Sequence, residues 1–324
     1  MINQTWNDSN LFATGVIRSR EASLLTDDGV RQILTADERL SPAEILRGTV
    51  FGDYLDRHGS TDPAELIPHI RDDIFLFLRR HVTPPGAVRF LLLPYDYHNL
   101  KVLLKGKLLD VPAEEFLLSM GNIPPGEMTE TFAAEEYGSL PRQMAGAVNE
   151  AAGAWYAHKD PRFLDTVPDR YMLLHLLDEA IVLASTWLEG YCRLYIDCSN
   201  LRILSRSSGI DRKILEDYIM VPEGFIEVEE LLDESVESIC LRHGYINIAA
   251  AFTVKEKAFA VESACTRRLR EYLNEAQYAI GGIEPSMAFA LTVEEDLRII
   301  GTLMKARASG MDEKVMESRL PGIP

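Results

Sequence analysis

The sequence predicts an all-α protein, and three observations carry that prediction. Apolar residues recur at steps of three and four along most of the chain, as they do on one face of a helix. Alternating Val/Ile/Thr/aromatic runs bounded by turns are scarce, and the one stretch with such character is Ala87 to Leu93. Clusters of Pro and Gly, at Pro84-Pro85-Gly86, Pro124-Pro125-Gly126 and Gly281-Gly282, punctuate the periodic segments.

Taken in order, the periodicity predicts helices over Pro42 to Arg57, Pro63 to Arg80, Tyr95 to Leu109, Pro112 to Met120 and Tyr137 to His158. From Asp169 to Arg206 there is no proline and Gly190 is the single glycine, while Leu177, Ile181, Ala184, Leu188, Tyr191, Cys192 and Tyr195 keep helical spacing. That predicts one helix of roughly three dozen residues, about 55 Å long at the usual rise per residue. Arg202 and Arg206 suit the negative end of its dipole, and Gly209 suits a left-handed cap. A new helix starts at Asp211, followed by Val228 to Leu241, Val254 to Ala279 and Ser286 to Ala308.

At 324 residues, 47% hydrophobic and 26% charged, the chain has the balance of a globular protein and the length for two or three domains. Cys192, Cys198, Cys240 and Cys265 form no CxxC pair, so a reducing compartment is expected rather than a zinc or redox site, and Cys192 and Cys198, six apart on one helix, read as small apolar packing residues. The opening Met-Ile-Asn-Gln-Thr-Trp has neither the basic start nor the apolar core of a signal peptide, and no apolar run reaches the roughly 20 residues that span a bilayer. Neither export nor membrane insertion is expected. A net charge of −17 argues against nucleic acid and against anionic lipid heads. The plain reading of that acidity is solubility; a dedicated basic partner is the alternative.

The chain repeats itself. Asp96-Tyr97-His98-Asn99-Leu100-Lys101 returns 101 residues later as Asp197-Cys198-Ser199-Asn200-Leu201-Arg202. A third copy lies 96 residues further on, where Val293 and Asp296 take the Asp and Asn positions ahead of Leu297-Arg298. Each copy is followed by a break and a short amphipathic stretch beginning near Val111, Gly209 and Gly310. A fainter copy opens the chain, where Arg18 to Leu25 precedes Ser41-Pro42-Ala43-Glu44-Ile45-Leu46. At about 100° per residue, Asp96, Asn99, Leu100 and Leu103 share one stripe, as do Asp197, Asn200, Leu201 and Leu204, with Lys101 and Arg202 off it. An Asn on an apolar stripe requires a hydrogen-bond partner. The expected role of these polar residues is to fix helix register, with direct partner contact as the alternative.

The run Tyr95-Asp96-Tyr97-His98-Asn99-Leu100-Lys101-Val102-Leu103-Leu104-Lys105-Gly106-Lys107 resembles the C subunit of V/A-type rotary ATPases, the family of the eukaryotic V-ATPase d subunit. Supporting segments are Arg18-Ser19-Arg20-Glu21, Phe51-Gly52-Asp53-Tyr54-Leu55 and Asp296-Leu297-Arg298-Ile299-Ile300. The resemblance covers nearly the whole chain; residues 121–168 match nothing in it. It implies three similar helical domains in pseudo-threefold arrangement, forming a funnel or socket. On that basis the domains are expected at 1–110, 111–210 and 211–324. It further implies a peripheral protein on the cytoplasmic face of a membrane complex. Its partners would be the central-stalk subunits and the membrane rotor ring, and its task would be to couple rotation to ion movement. The signature positions are Asp96, Asn99, Lys101, Lys105, Asp197, Asn200, Arg202, Asp296 and Arg298.

No catalytic residue, cofactor or metal site is expected. Lys105-Gly106-Lys107 lacks the glycine and hydroxyl of a phosphate loop, and no HExxH, GxSxG or GxGxxG occurs. The seven histidines show no ligand spacing, and His98 reads as a packed or surface helix residue. Two other classes compete with the resemblance: a generic helical-repeat interaction scaffold, and a helical enzyme using Glu150, Asp178 and Glu179.

Overall fold

A computed structural model of the chain describes residues 10–36, 40, 42–58, 62–207, 209–311 and 316. Every regular element among them is helical. The chain divides into two compact units: an end unit, Met1–Val88 with Thr253–Pro324, and a mid-chain unit, Arg89–Phe252.

The first helices are α1 Leu11–Arg20, α2 Asp27–Thr35, α3 Pro42–Leu46, α4 Gly52–His58 and α5 Pro63–His81. Next come α6 Gly86–Leu109, α7 Pro125–Ala134, α8 Arg142–His158, α9 Phe163–Val182 and α10 Thr186–Arg206. Short helices follow, α11 Arg212–Ile214, α12 Val228–Asp233, α13 Val236–Arg242 and α14 Ile246–Phe252, before the long α15 Lys257–Asn274 and α16 Glu284–Ala308.

The single long helix expected over Asp169 to Arg206 is in fact two helices. The chain reverses at Leu183-Ala184-Ser185, where Ala184 takes φ +52° and the Ser185 hydroxyl accepts from the Leu188 N–H at 3.2 Å. No Gly or Pro announces this turn, and the apolar phase continues across it, so the sequence imitates one helix. The run Ala87 to Leu93 lies inside α6, not in a strand. Ala87, Val88, Phe90, Leu91, Leu92 and Leu93 are all buried, with Arg89 alone exposed among them, so the stretch shows no clear amphipathic period.

Other expected helices are shorter than the periodicity suggests. Pro42 to Arg57 breaks into α3 and α4, Val228 to Leu241 into α12 and α13, and Pro112 to Met120 shrinks to one 3₁₀ turn, Glu114–Phe116. The helix expected from Asp211 starts there, with the Asp211 carboxylate accepting from the Lys213 N–H at 2.9 Å, but gives way to a π turn at Leu215–Ile219. Gly209 takes the left-handed φ of +87° that suits the segment after α10. The short segment expected at 312–315 and the position Ser41 lie outside the described residues.

In the end unit, α16 is the axis that helices from the N-terminal part of the chain share with α15. It packs on α1, α2, α5 and α15, and buries Met287, Phe289, Val293, Leu297, Ile300 and Leu303. Each such side chain contributes roughly 1.5–3 kcal/mol relative to exposure. Arginines tie the N-terminal helices to this C-terminal part. Arg18 donates to the carbonyls of Ala276 and Ala279 at 3.0 and 2.9 Å, and Arg71 pairs with Glu294 at 2.9 Å. Arg307 reaches the Ile33, Leu34 and Ala36 carbonyls that end α2. In the mid-chain unit, α9 packs between α8 and α10.

Candidate functional site

The repeated polar residues sit on α6, α10 and α16, each gripping a backbone segment. Asn99 on α6 donates from Nδ2 to the Leu118 carbonyl at 2.9 Å and accepts at Oδ1 from the Leu118 N–H at 2.8 Å. Asn200 on α10 does the same to Val221, at 2.7 and 2.8 Å. One side-chain amide thus pairs both polar groups of one backbone residue, which requires a donor and an acceptor on the same planar group. Both asparagines are fully buried.

One turn earlier, the aspartates bind the same segments further along. Asp96 accepts from the Asn122 and Ile123 N–H groups at 2.7 and 3.0 Å and from Asn122 Nδ2 at 2.7 Å. Asp197 accepts from the Ile226 N–H at 3.1 Å and the Tyr245 hydroxyl at 2.7 Å. Close approach needs a glycine. A Cβ on Gly121 would lie 2.5 Å from an Asp96 oxygen, and one on Gly224 would lie 2.2 Å from an Asp197 oxygen. Burial pushes the Asp197 carboxyl up to about 6 and the Asp96 carboxyl upward too, although the donors around both pull the other way.

Sequence reasoning missed these gripped segments. Leu118-Ser119-Met120-Gly121-Asn122-Ile123 corresponds to Val221-Pro222-Glu223-Gly224-Phe225-Ile226, and the shared signal is a Gly and an Ile, three and five residues after the clipped position. Because Asn99 takes both polar groups of Leu118, the linker after α6 cannot continue as a helix, which explains the shortened Pro112 to Met120 segment.

The third copy works differently. Val293 is buried and makes no polar grip, while Asp296, fully buried, accepts from the Leu25 N–H at 2.7 Å and forms an ion pair with Arg270. A carboxylate cannot donate to a carbonyl, so this clip is one-sided. Burial pushes the Asp296 carboxyl up to about 7, while the Arg270 charge pulls it down. The gripped residue comes from the opposite end of the chain, 271 residues earlier.

The basic signature residues lie off the clip face, as helix geometry predicts. Lys101 pairs with Asp169 at 2.6 Å and Lys105 with Asp165 at 2.5 Å, both tying α6 to α9. Arg202 is half-buried, and Arg298 is exposed and pairs with Glu295 at 2.6 Å. Tyr97, buried, places its hydroxyl 3.3 Å from Nδ1 of His175, and His98 Nε2 lies 3.0 Å from the Phe116 carbonyl. Burial lowers the His175 pKa. Glu150 accepts from the Tyr171 hydroxyl at 2.8 Å and pairs with Arg170 at 3.2 Å, and Asp178 accepts from Gln143 at 3.0 Å. The four cysteines are buried free thiols. No helix among the described residues is long and apolar enough to cross a membrane. Chemically, the three clips hold chain segments; their carboxylates are occupied by backbone donors, Tyr245 or Arg270.

A family model described as ATP synthase (C/AC39) subunit matches residues 13–319. Among curated proteins, the C subunit of the V-type sodium ATPase of Enterococcus hirae is 30% identical over 93 residues, 29% of this chain and 28% of that protein. The C subunit of the V-type ATP synthase of Thermus thermophilus is 26% identical over 211 residues, 62% of this chain and 64% of that protein. The C subunit of the A-type ATP synthase of Thermococcus onnurineus is 22% identical over 332 positions, 93% of this chain and 87% of that protein. The matched stretches of the first two thus span less than two thirds of those relatives.

Proposed function

The chain belongs to the ATP synthase (C/AC39) subunit family, and from that premise we propose that it is a non-catalytic coupler, joining the central stalk of a V/A-type rotary ATPase to its membrane rotor ring. The proposed seat is the cytoplasmic face, where the protein transmits rotation between ATP chemistry and ion transport. The observation that carries this reading is the repeated clip. Three long helices, α6, α10 and α16, each hold a backbone segment through a buried polar side chain. A torque coupler must keep its shape under load, and buried hydrogen bonds between separate segments resist sliding better than apolar contact alone. We read the signature residues as parts of this frame rather than as partner contacts. We also retain three related domains as the organising scheme, with the third clip built from both chain ends.

The test is binding alongside activity. The purified chain, mixed with candidate stalk subunits and with rotor rings, is expected to bind both at low and moderate salt, and to hydrolyse no ATP by itself. Failure to bind either set sinks the coupler reading, and hydrolysis by the isolated chain points to an enzyme.

A further inference from the structure

Resting on the reading that the chain grips protein partners, we propose that the groove between the C-terminal half of α6 and α7 receives a Lys/Arg-bearing amphipathic helix of another subunit. The groove has a volume of about 670 Å³, and its walls include Leu103, Val111, Pro112, Ala113, Phe132 and Ala133. At Gly106 the helix and the linker come together so closely that an added Cβ would stand 2.7 Å from the Cβ of Ala113. Val111 is 48% exposed and Phe116, further along the same linker, is 59% exposed. An open apolar trough between two helices and the linker that joins them accepts the ridge of a helix with apolar residues at i, i+3, i+4 and i+7.

Charge selects among occupants. Glu114 and Glu115 stand exposed on the linker wall. The one basic side chain in the lining, Lys107, is held by Glu135 at 2.7 Å and by the Phe132 carbonyl at 3.2 Å. The rim therefore presents unneutralised carboxylates beside an apolar floor, which is complementary to a helix with cations flanking its apolar ridge. The same carboxylates oppose anionic lipid heads, and a second copy of a chain carrying −17 brings like charge.

The test uses the full-length chain carrying Val111→p-benzoylphenylalanine, assembled with the stalk and rotor-ring subunits and irradiated. The expected crosslink, read by mass spectrometry, falls on a helical segment with Lys or Arg beside its apolar ridge. Crosslinks to lipid, to a second copy or to an acidic segment overturn the proposal, as does absence of crosslink in an intact assembly; all of these leave the coupler reading standing. If the unmodified chain joins neither stalk nor ring, both fall. In a parallel measurement, Ala133→Trp fills the groove and weakens binding of that subunit roughly tenfold or more. Glu114→Gln with Glu115→Gln weakens it roughly threefold and flattens its salt dependence. The double variant alters only exposed side chains, so it reads the groove even if Ala133→Trp perturbs folding. Unchanged affinity and salt dependence in the double variant overturn the charge argument and the proposal with it.

Discussion

Asn200 in the mid-chain unit and Asp296 in the end unit occupy the same place in the repeat and grip by different chemistry. Asn200 supplies one donor and one acceptor to the two polar groups of Val221, so its clip is neutral and complete. Asp296 only accepts, from Leu25, and its charge is balanced by Arg270. What the repeat specifies is therefore a place, the face of a long helix that meets an incoming backbone segment, and it leaves the chemistry of the grip open. A neutral clip tolerates burial by itself, whereas an ionic one tolerates it only while both partners remain.

The harshest way to break the comparison is to remove one ionic partner. Arg270→Leu leaves the buried Asp296 carboxyl either to carry its charge alone or to take up a proton, and should lower unfolding free energy by about 3–5 kcal/mol in urea titration at alkaline pH, with a smaller loss as pH falls through about 7. A loss near zero would erase the distinction between the clips. Comparable in size, Asn200→Leu strands the N–H and C=O of Val221, for an expected loss of about 2–6 kcal/mol at roughly 1–3 for each unsatisfied group. Stalk binding should fall only as far as stability falls; unchanged melting with lost binding would reassign Asn200 to the interface.

The mildest test sharpens the role of burial. The folded Asp197 carboxyl titrates at about 6, above the unfolded value of about 3.9. Its ionised form therefore costs stability above pH 6, and that cost is relieved as pH falls from about 6 towards about 4. Relative to Asp197→Asn, the unmodified chain should gain about 1 kcal/mol between pH 7 and pH 5. Parallel stability profiles of the two chains would show that burial does not hold the proton on Asp197.

Much of this was legible in the residues, and the illegible parts have physical causes. Helical class followed from periodicity, and the buried stripe of Asp96, Asn99, Asp197 and Asn200 followed from helical geometry. The reversal at Ala184 was invisible because a non-glycine residue takes the left-handed conformation there and the apolar spacing runs on past Ser185, the cap of the next helix. Helix α7 went unseen because its residues lie where no resemblance or strong period guides the reading. The clip partners were hidden for another reason. A side chain that binds backbone imposes little on the identity of the residue bound, so Leu118, Val221 and Leu25 share only apolar character.

The bond from Asp296 to Leu25 also orders events in time. As the chain leaves the ribosome, Arg18, Leu25 and the C-terminal carbonyls of α2 must wait for partners encoded 258 to 274 residues later. Residues 89–252 carry both clips of their own unit and can complete it during synthesis. Helices α1 and α2 are thus secured only once α16 has emerged, after residues 89–252 have been able to close their own clips.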